Sequence, residues 1–600
     1  HLRSHHNFLY LLKQLRYPHA MRTILATLHS KFIHNSLALP CLASYCRTDC
    51  GELLIREFTV HEPKESVLAQ LLAEKPDVIT FSVYLWNRKQ TLELVDALAV
   101  VRPELRIVLG GPEVSSDEHV LFQRHPGLTA LVHGEGEIPL SSLLGAWQRE
   151  ASAVGIPRLT LRTSKGIVRG ADGPVLDDLD QIPSPFQLGL VDINRGFVYY
   201  ETSRGCPFRC SFCLSAKDNR VRSFSMERIY GDLGWLMEQQ IAKVKLVDRT
   251  FNYDPVRARS IFAFILDHNR SSHFHFEIAV HLLDEPTLQL LEQVPPGVFQ
   301  FEIGVQSTLT ATLDAIDRRV CQERLITNIQ KLHSRTQVEL HLDLVAGLPE
   351  EGYRDFLSSI DRVAALRPDH LQIEPVKLLP GSPLHDQAQA LGIRFDPNPP
   401  YTVLTTPSLD YIELQQICEI SRLLDLTWNA GCLATFLSVL ADHSASLARG
   451  LEKLAEFWRS LDLFRYPLNR QSLFEHCWQF ANTLDNSWRQ KFKDALGYDY
   501  ARCERISLKR LPAFVDTVIQ TAESDWVQRQ ISDKTLQIRG QGIKLQYFSA
   551  VFHDLPHHSG RTVLLFCYLT RSGQGMNVEE LACPSECFTE PLSAAQARRD

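Results

Sequence analysis

The chain has 600 residues, a formal net charge of −7 and a hydrophobic fraction of 44%. This length exceeds what one hydrophobic core usually supports, so we expect two to four domains. The composition is that of a globular protein and excludes the collagen-like, coiled-coil and disordered classes. No basic field favours nucleic acid, no apolar run is long enough to cross a bilayer, and the 14 cysteines are scattered. We therefore expect a cytoplasmic protein with neither a membrane nor a nucleic acid as partner.

Residues 1–20 are histidine-rich and basic without a clear period, and we assign no function to this extension. From residue 21 to about 150, short apolar strands alternate with periodic helical segments, which predicts a doubly wound α/β domain with a parallel sheet. The predicted strands are Arg22–Leu28, Leu53–Val60, Asp77–Tyr84, Arg106–Leu109 and Ala130–His133. The predicted helices lie near Ser36–Cys46, Lys64–Ala73, Arg88–Val101 and Glu118–Arg124.

Four segments follow the strands of this first domain, at His29–Asn35, Ser82–Asn87, Gly110–Val114 and His133–Glu137. Sheets of this type bind ligands at the carboxyl ends of their strands, so these segments are the candidate binding loops. Glycines at such loops allow backbone amides to approach a bulky ligand closely. Alternatively, Gly110-Gly111-Pro112 forms only a tight turn.

Residues 151–194 are rich in Gly, Pro and Asp, which predicts a connector with one hairpin. Residues 195–398 return to strand–helix alternation with six βα units, which predicts an open, partial (β/α)6 barrel because a closed barrel needs eight. Residues 399–600 form a mainly helical domain, periodic over Ile412–Leu426 and Leu433–Phe457, with a short β region around Leu536–Phe548 and Arg561–Leu569. The predicted barrel strands are Phe197–Thr202, Lys243–Val247, His273–Ala279, Val298–Val305, Val338–Val345 and His370–Leu378.

Three cysteines follow the first barrel strand with the spacing C-x3-C-x2-C, namely Cys206, Cys210 and Cys213. Three cysteines within eight residues cannot close into two disulfides, but they can hold one metal cluster. On a cluster of four irons, three thiolates leave one iron free of protein ligands, as in catalytic metal sites that keep an open position. A zinc site would need a fourth Cys or His close by, and none stands at ligand spacing.

With Arg204-Gly205 before the first cysteine and Phe212 before the last, the triplet resembles the radical S-adenosylmethionine (SAM) superfamily over about residues 195–395. The resemblance implies that the cysteines hold a 4Fe–4S cluster and that SAM binds its open iron. One electron from an external reductant of the flavodoxin or ferredoxin type then cleaves SAM to methionine and a 5′-deoxyadenosyl radical. The protein encloses that radical in a dry pocket.

Three later segments resemble the fourth, fifth and sixth strand motifs of this family, at residues 301–307, 341–349 and 373–381. The Gly-Gly-Glu form of the second-strand motif is absent, so the residue holding the amino group of SAM stays unassigned, as do catalytic residues. Each polar side chain taken singly could instead have a surface or capping role. The implied SAM-binding residues are Phe212, Glu302, Gln306, Asp343, Pro375, Val376 and Leu378. Candidates at the barrel mouth are Asp248, Arg249 and Asn252.

The first domain followed by this triplet resembles cobalamin-binding radical SAM enzymes, whose N-terminal domain is flavodoxin-like (Rossmann-type). The Asp-x-His-x-x-Gly signature is absent, which implies base-off cobalamin without a protein histidine on cobalt. We expect Tyr84, Leu85 or Trp86 to cover the lower face of cobalamin, unless these side chains only pack. The helical third domain resembles an extension of unknown function found in one branch of these enzymes. The implied cobalamin-binding residues are His29, Ser82, Tyr84, Leu85, Trp86, Asn87, Gly110, Gly111, Glu113, His133, Gly134 and Glu135.

The resemblance implies a cobalamin-dependent radical SAM methyltransferase. In that reaction the radical abstracts a hydrogen from the substrate, and methylcobalamin delivers a methyl group to the unactivated carbon. One alternative is a non-methylating rearrangement or cyclisation with the same two cofactors. Another, from a different class, is an iron–sulfur or corrinoid sensor or binding protein. The substrate, a small molecule or peptide, is not identified by any motif.

Overall fold

The computed structural model describes residues 20–47, 50–217, 220–506, 510–556, 558, 560–571 and 575–584. The extension expected at residues 1–20 therefore lies, apart from residue 20, outside the described residues. The chain forms two compact units. Unit 1 contains the residues up to Glu351 together with Pro375–Asp410, and unit 2 contains Gly352–Glu374 together with the residues from Tyr411 onward. Across these described ranges, no helix combines the length and the apolar character that crossing a membrane requires.

The first domain of unit 1 is an α/β sheet flanked by helices. Its strands are β1 (Arg22–His29), β2 (Glu52–Thr59), β3 (Val78–Ser82), β4 (Arg106–Gly110), β5 (Leu128–Val132), β6 (Leu159–Thr163) and β7 (Gly166–Arg169). Its helices are α1 (Ala38–Tyr45), α2 (Lys64–Ala73), α3 (Arg88–Val101), α4 (Glu118–Arg124) and α5 (Glu137–Gln148). The strand order is β2-β1-β3-β4-β5-β6-β7, and β1 to β5 run parallel. This order confirms the predicted doubly wound, flavodoxin-like domain.

Both faces of this sheet are buried. Ile24 and Leu28 of β1 belong to one apolar cluster, whereas Leu25 between them belongs to the cluster on the opposite face. Because side chains alternate along a strand, helices cover both sides and the loops at the carboxyl ends remain for binding. The strand β1 pairs with both β2 and β3, so the order of the strands reverses at β1. A ligand is expected beside this reversal.

Two parts of the first domain differ from the prediction. The hairpin expected in the connector pairs with β5 and extends the predicted five strands to seven, with β6 and β7 antiparallel. The helix α5 was not predicted, because Pro139 and Gly145 weaken its helical signal. Pro139 is tolerated because it lies in the first turn, where a backbone N–H has no intrahelical acceptor.

The second domain of unit 1 is built on a parallel sheet. Its strands are β8 (Val198–Tyr200), β9 (Ser203–Arg204), β10 (Arg222–Ser223), β11 (Lys243–Leu246), β12 (His273–Glu277), β13 (Phe299–Gln306) and β14 (Glu339–Ala346). Its helices are α6 (Met226–Glu238), α7 (Pro255–His268), α8 (Glu285–Leu291), α9 (Thr310–Ala315) and α10 (Gln322–Arg335). Five strands are parallel in the order β14-β13-β12-β11-β8, while β9 and β10 form a separate antiparallel pair.

Phenylalanines fill one face of the barrel sheet. Phe276 of β12 and Phe299 and Phe301 of β13 pack around Phe262 of α7, with ring centroids 5.1–5.7 Å apart. Within β12 and β13, the residues that alternate with these phenylalanines lie on the opposite face, because side chains alternate along a strand. Next to the phenylalanines these residues are polar. The helices therefore cover the aromatic face, and the polar face remains for chemistry.

The sixth helix–strand pair of the predicted barrel is also present, as α11 (Tyr353–Ala364) and β15 (His370–Pro375). These residues begin unit 2, except that Pro375 belongs to unit 1. The following segment of unit 1 contains α12 (Pro383–Gln387) and the antiparallel strands β16 (Arg394–Phe395) and β17 (Val403–Thr405).

The rest of unit 2 is mainly helical, as predicted. Its helices are α13 (Tyr411–Leu426), α14 (Ala434–Ser444), α15 (Leu447–Ser460), α16 (Arg470–Ala481), α17 (Arg489–Cys503) and α18 (Thr521–Gln537). Its strands β18 (Ile543–Phe552), β19 (Thr562–Arg571) and β20 (Met576–Ala582) form an antiparallel sheet in chain order.

Two expectations for unit 2 need correction. The periodic segment Leu433–Phe457 is divided into two helices, because Ala445 has a left-handed φ of 61° and the Oγ of Ser446 caps α15 by accepting from the N–H of Arg449. The β region begins at Ile543 rather than Leu536, which lies in α18, and its third strand β20 was not predicted.

Asp499 of α17 fixes the start of α14, and burial raises its pKa to about 7. Its carboxyl accepts hydrogen bonds from the N–H groups of Thr435 and Phe436, at 3.2 and 2.8 Å. An unfolded Asp ionises near pH 4, so between about pH 4 and 7 the unfolded state binds fewer protons than the folded state. As the pH rises from about 4 to about 7, the free energy of unfolding should therefore fall, by at most about 4 kcal/mol.

We expect Asp499→Asn to remove this part of the pH dependence, because an amide does not titrate. Denaturant unfolding at pH 4.5, 6 and 7.5 checks this, with Asp533→Asn, an exposed position of α18, as the control. A pH profile of Asp499→Asn that parallels those of the wild type and Asp533→Asn would contradict the assignment.

Candidate functional site

A cavity of about 530 Å³ lies at the carboxyl ends of β1, β3, β4 and β5. Barrel residues Tyr199, Glu201, Arg204 and Val247 line it as well, so it lies where the two domains of unit 1 meet. We call it the first cavity. Eight of the predicted cobalamin-binding residues line it, namely His29, Ser82, Tyr84, Trp86, Gly110, Gly111, Gly134 and Glu135.

Tyr84 and Trp86 form a stacked pair on the wall of the first cavity. Their rings are nearly parallel at 4°, with centroids 4.7 Å apart. The indole N–H of Trp86 donates to the carbonyl of Leu28 at 3.0 Å, yet 46% of the residue stays exposed. Burial raises the pKa of the Tyr84 hydroxyl. The pair thus offers a fixed aromatic surface to a bulky ligand, whereas Leu85 does not line the cavity.

Asn87 does not line the first cavity and instead fixes the loop that carries the aromatic pair. It is fully buried, and its Nδ2 donates to the Leu28 and Ser82 carbonyls at 3.0 and 3.2 Å. Its Oδ1 accepts from the N–H of Tyr84 at 2.8 Å. Asn87 therefore ties β1 to the loop after β3.

Glu113 and His133 also lie outside the lining of the first cavity. Glu113 accepts from the Tyr401 hydroxyl at 2.9 Å, and burial raises the pKa of its carboxyl. His133 has its Nε2 2.9 Å from the hydroxyl of Thr160, and burial lowers its pKa. Both side chains are occupied by partners within unit 1.

Gly111 has a left-handed φ of +104°, and a Cβ at this position would lie 2.5 Å from the carbonyl oxygen of Val83. Glycine is therefore required by the turn itself and by its approach to the neighbouring loop. This geometry supports the tight-turn interpretation of Gly110-Gly111-Pro112.

Two histidines on the wall of the first cavity are held by neighbours. The Nε2 of His29 lies 3.2 Å from Glu57, which also accepts from Arg195 at 3.0 Å. The Nδ1 of His34 lies 2.9 Å from the hydroxyl of Tyr199, and burial lowers the His34 pKa. His34 was not among the predicted site residues, although its loop was a candidate binding segment.

A second cavity, of about 240 Å³, lies at the carboxyl ends of the barrel strands. All three cysteines of the triplet line it, together with the predicted residues Phe212, Arg249, Glu302, Gln306 and Asp343. The Sγ of Cys206 is 3.4 Å from the Thr250 hydroxyl. Arg318, which was not predicted, donates to the Sγ of Cys210 at 3.5 Å. Burial raises the pKa of the Cys210 thiol, and Arg318 opposes this rise because it favours the thiolate.

All three cysteines of the triplet line this one cavity. In the described part of the chain, no three Cys, His, Asp or Glu side chains approach one another closely enough to hold a single metal ion. A cluster of several irons would place its ligands around a volume rather than around a point.

Three carboxyl groups occupy neighbouring strands at the second cavity, from Glu277, Glu302 and Asp343. Burial raises the pKa of Glu277 to about 7, and burial with the nearby charges of Glu302 and Glu277 raises that of Asp343 to about 8. A hydrogen bond from His275, at 2.8 Å, lowers the pKa of Glu302. Glu302 is thus ionised beside two carboxyl groups, Glu277 and Asp343, whose pKa values lie at or above neutral pH. Glu277 was missed, although its position at the end of a predicted strand could have indicated it.

Five predicted residues do not line the second cavity. Asp248 is fully buried and accepts hydrogen bonds from Thr202 and Ser203, and Asn252 exchanges two hydrogen bonds with the backbone of Ala279. Both side chains hold the loops at the end of the barrel. The remaining three are Pro375, Val376 and Leu378, whose expected contact with SAM stays a prediction.

Three family models match successive parts of the chain. Residues 23–144 match the B12 binding domain, and residues 200–363 match the radical SAM superfamily. Residues 389–546 match a family described as a protein of unknown function, DUF4080.

Three known proteins illustrate the similarity. The cobalamin-dependent radical SAM methyltransferase TokK of Streptomyces tokunonensis is 24% identical over 70% of this chain and 68% of its own length. The 2-(S-pantetheinyl)-carbapenam-3-carboxylate methyltransferase of Streptantibioticus cattleyicolor is 26% identical over 56% of this chain and 51% of its own, so the chain spans about half of that relative. The structure of the cobalamin-dependent radical SAM enzyme OxsB with aqua-cobalamin superposes with a TM-score of 0.58 and 15% identity, over 80% of this chain and 84% of OxsB.

The fold, the cysteine-lined cavity and these matches define the chain as an enzyme of the radical SAM superfamily. More specifically, it belongs to the radical SAM enzymes that carry an N-terminal B12-binding domain, and its C-terminal region is of the DUF4080 type.

The hydrogen bonds of Asn87 lead to a prediction about the aromatic wall of the first cavity. We expect Asn87→Ala to lower the free energy of unfolding by about 3 kcal/mol, because it leaves buried backbone groups without partners. Urea unfolding measures this, with the exposed Asn194→Ala as the control. Equal stability of the two variants would show that Asn87 does not fix the loop.

Proposed function

We propose that the chain is a methyltransferase that moves a methyl group from SAM, by way of cobalamin, to an unactivated carbon of its substrate. The observation that carries this proposal is the closeness of the two cavities along the chain. Glu201 and Arg204 line the first cavity, and Cys206, two residues further on, lines the second. The names of TokK and of the carbapenam methyltransferase support methyl transfer in particular.

The residues of the second cavity fit a 4Fe–4S cluster with Cys206, Cys210 and Cys213 as its ligands. When bound, the cluster supplies the electron that cleaves SAM reductively, and cobalamin supplies a transferable methyl group. Arg318 favours the thiolate form of Cys210, which a metal ligand requires.

The other walls of the second cavity suit a zwitterionic ligand such as SAM. Glu302 is ionised beside His275 and attracts a cationic group, while Arg249 and Arg318 offer positive charge to a carboxylate. Asp343, whose pKa is raised to about 8, and Glu277, whose pKa is raised to about 7, offer hydrogen-bond donors or acceptors to sugar hydroxyls. Phe212 and Gln306 complete the predicted contacts.

The Tyr84–Trp86 pair provides the aromatic surface that we assign to the lower face of the corrin ring. That cobalamin is held base-off, without a protein histidine on cobalt, rests on the absent Asp-x-His-x-x-Gly signature. The contacts of His29 with Glu57 and of His34 with Tyr199 each occupy one ring nitrogen and do not decide this point.

The substrate that we propose is a small molecule or a peptide rather than a nucleic acid, since the net charge of −7 gives no basic surface for phosphates. The electron comes from an external one-electron carrier of the flavodoxin or ferredoxin type.

Replacing any one cysteine of the triplet should remove the cluster, because two thiolates hold it too weakly. The variants are Cys206→Ala, Cys210→Ala and Cys213→Ala. After anaerobic reconstitution, we expect each to contain much less iron than the wild type and to lose most of the visible absorbance of the cluster. Cys418→Ala, which changes a half-buried thiol of unit 2, is the matched control. Wild-type iron content in the triplet variants would assign the cluster elsewhere.

Methyl transfer can be tested before the substrate is identified. The reconstituted protein is reduced anaerobically and given SAM with a deuterated methyl group. We expect S-adenosylhomocysteine and a deuterated methyl group on the extracted corrinoid, together with methionine and 5′-deoxyadenosine from reductive cleavage. Mass spectrometry measures all four.

The Cys210→Ala variant separates the two uses of SAM in this test. It should form no 5′-deoxyadenosine, because that product needs the cluster. Wild-type protein that forms methionine and 5′-deoxyadenosine without S-adenosylhomocysteine would refute methyl transfer and leave the non-methylating alternative.

A further inference from the structure

Two arginines stand opposite each other at the base of the segment that carries the cysteine triplet. Arg204 of β9 and Arg222 of β10 are register partners in the antiparallel pair. The chain between them contains Cys206, Cys210 and Cys213. The β9–β10 pair therefore closes the cysteine segment into a loop, and whatever holds these two arginines holds the base of that loop.

Carboxylates of the first domain hold both arginines. The Nη2 of Arg204 lies 2.8 Å from Glu137, and its Nη1 lies 3.4 Å from Glu135. Arg222 pairs with Glu135 through both of its terminal nitrogens, one of them at 3.1 Å. Glu135 and Glu137 follow β5, so these ion pairs join the B12-binding domain to the barrel.

The same group is anchored on the barrel side. Glu201, directly after β8, receives Arg204 at 2.7 Å from Nη2 and 3.1 Å from Nε. We call Arg204, Arg222, Glu135, Glu137 and Glu201 the arginine clamp. Its members are largely withdrawn from solvent, with 5% of the Arg222 and Glu137 side chains exposed. Such pairs are screened little by salt and hold their geometry better than surface pairs.

The clamp lines the first cavity and is close in sequence to the first cysteine of the second. Glu135, Glu137, Glu201 and Arg204 line the first cavity. Arg204 lies two residues before Cys206, and Gly205 lies between them. Gly205 has a left-handed φ of +96°. A Cβ at this position would lie 2.2 Å from the carbonyl oxygen of Arg220. A displacement of Arg204 is therefore transmitted to the first cysteine through a tightly packed backbone.

We propose that the arginine clamp is a set of positioning residues that fixes the distance between the corrin ring in the first cavity and the cluster in the second. This inference rests on the two cofactor sites of the proposed function but does not depend on methyl transfer. It also gives Glu135, which was expected from the sequence to contact cobalamin, a second role in holding the barrel.

The distance between the two centres can be read magnetically in the loaded protein. When cobalamin is in the cob(II) state and a low-potential reductant has reduced the cluster by one electron, each centre carries an unpaired electron. Two such centres close together split or broaden each other's electron paramagnetic resonance signals. We expect the wild type to show this interaction. We expect Arg204→Gln and Glu137→Gln to weaken it in those molecules that contain both cofactors, because the cysteine loop loses its fixed position.

Variants test whether the clamp acts as a unit. The double variant Arg204→Gln/Glu137→Gln should weaken the interaction no further than Arg204→Gln alone, because replacing the arginine already removes its ion pair with Glu137. Arg204→Lys should restore only part of it, since lysine cannot pair with two carboxylates in a fixed fork. Arg335→Gln is the matched control, because Arg335 also pairs with two carboxylates, Glu285 and Glu292, on the barrel surface.

A second measurement does not need loaded protein. Hydrogen–deuterium exchange of peptides covering residues 205–213 should become faster in Arg204→Gln and Glu137→Gln than in the wild type and Arg335→Gln. Unchanged exchange and an unchanged magnetic interaction in the clamp variants would overturn the clamp, whatever happens to cofactor content. A wild type that binds both cofactors but shows no magnetic interaction would instead contradict the proposed placement of the cofactors.

Discussion

The ion pairs of Arg204 with Glu135, Glu137 and Glu201 are the interaction on which the functional geometry depends. They join the last parallel strand of one α/β domain to the first strand of the next, two residues before the cysteine triplet. Two sheets that were only neighbours along the chain are thereby combined so that both cavities share one segment. Against the effect of burial, the charges of Glu201 and Glu137 raise the pKa of Arg204, so its guanidinium stays charged at any physiological pH.

The electrostatics of the two cavities differ in a way that suits their proposed ligands. In the first cavity, the cationic and anionic side chains pair with one another and the aromatic pair of Tyr84 and Trp86 is left to face a large ring. In the second cavity, burial and the crowding of Glu277, Glu302 and Asp343 let only part of the negative charge develop near neutral pH. A bound cationic group would relieve that crowding, because it favours ionisation of its neighbours.

Much of the architecture could be predicted from local pattern. The predicted bounds of α2, α3 and α4 agree with the structure, and every predicted strand of the first two domains is present. These elements were recognisable because buried parallel strands are short apolar runs separated by amphipathic helices. The errors lie where local preference and tertiary context disagree. The helix α5 contains Pro139 and Gly145, the hairpin of β6 and β7 has no sign of its attachment to β5, and Ala445 breaks a continuous helical period.

The sequence by itself determined the class of the enzyme, because the spacing of Cys206, Cys210 and Cys213 and the order of strands and helices are properties of consecutive residues. It could not assign individual roles. Asn87, Glu113, His133 and Asp248 all stand at strand ends, yet their hydrogen bonds hold loops instead of lining the cavities. Glu277 and Arg318 entered the site only in three dimensions, and so did the pairing of Arg204 with carboxylates of the first domain. Contacts between residues far apart in sequence depend on how strands align and domains pack.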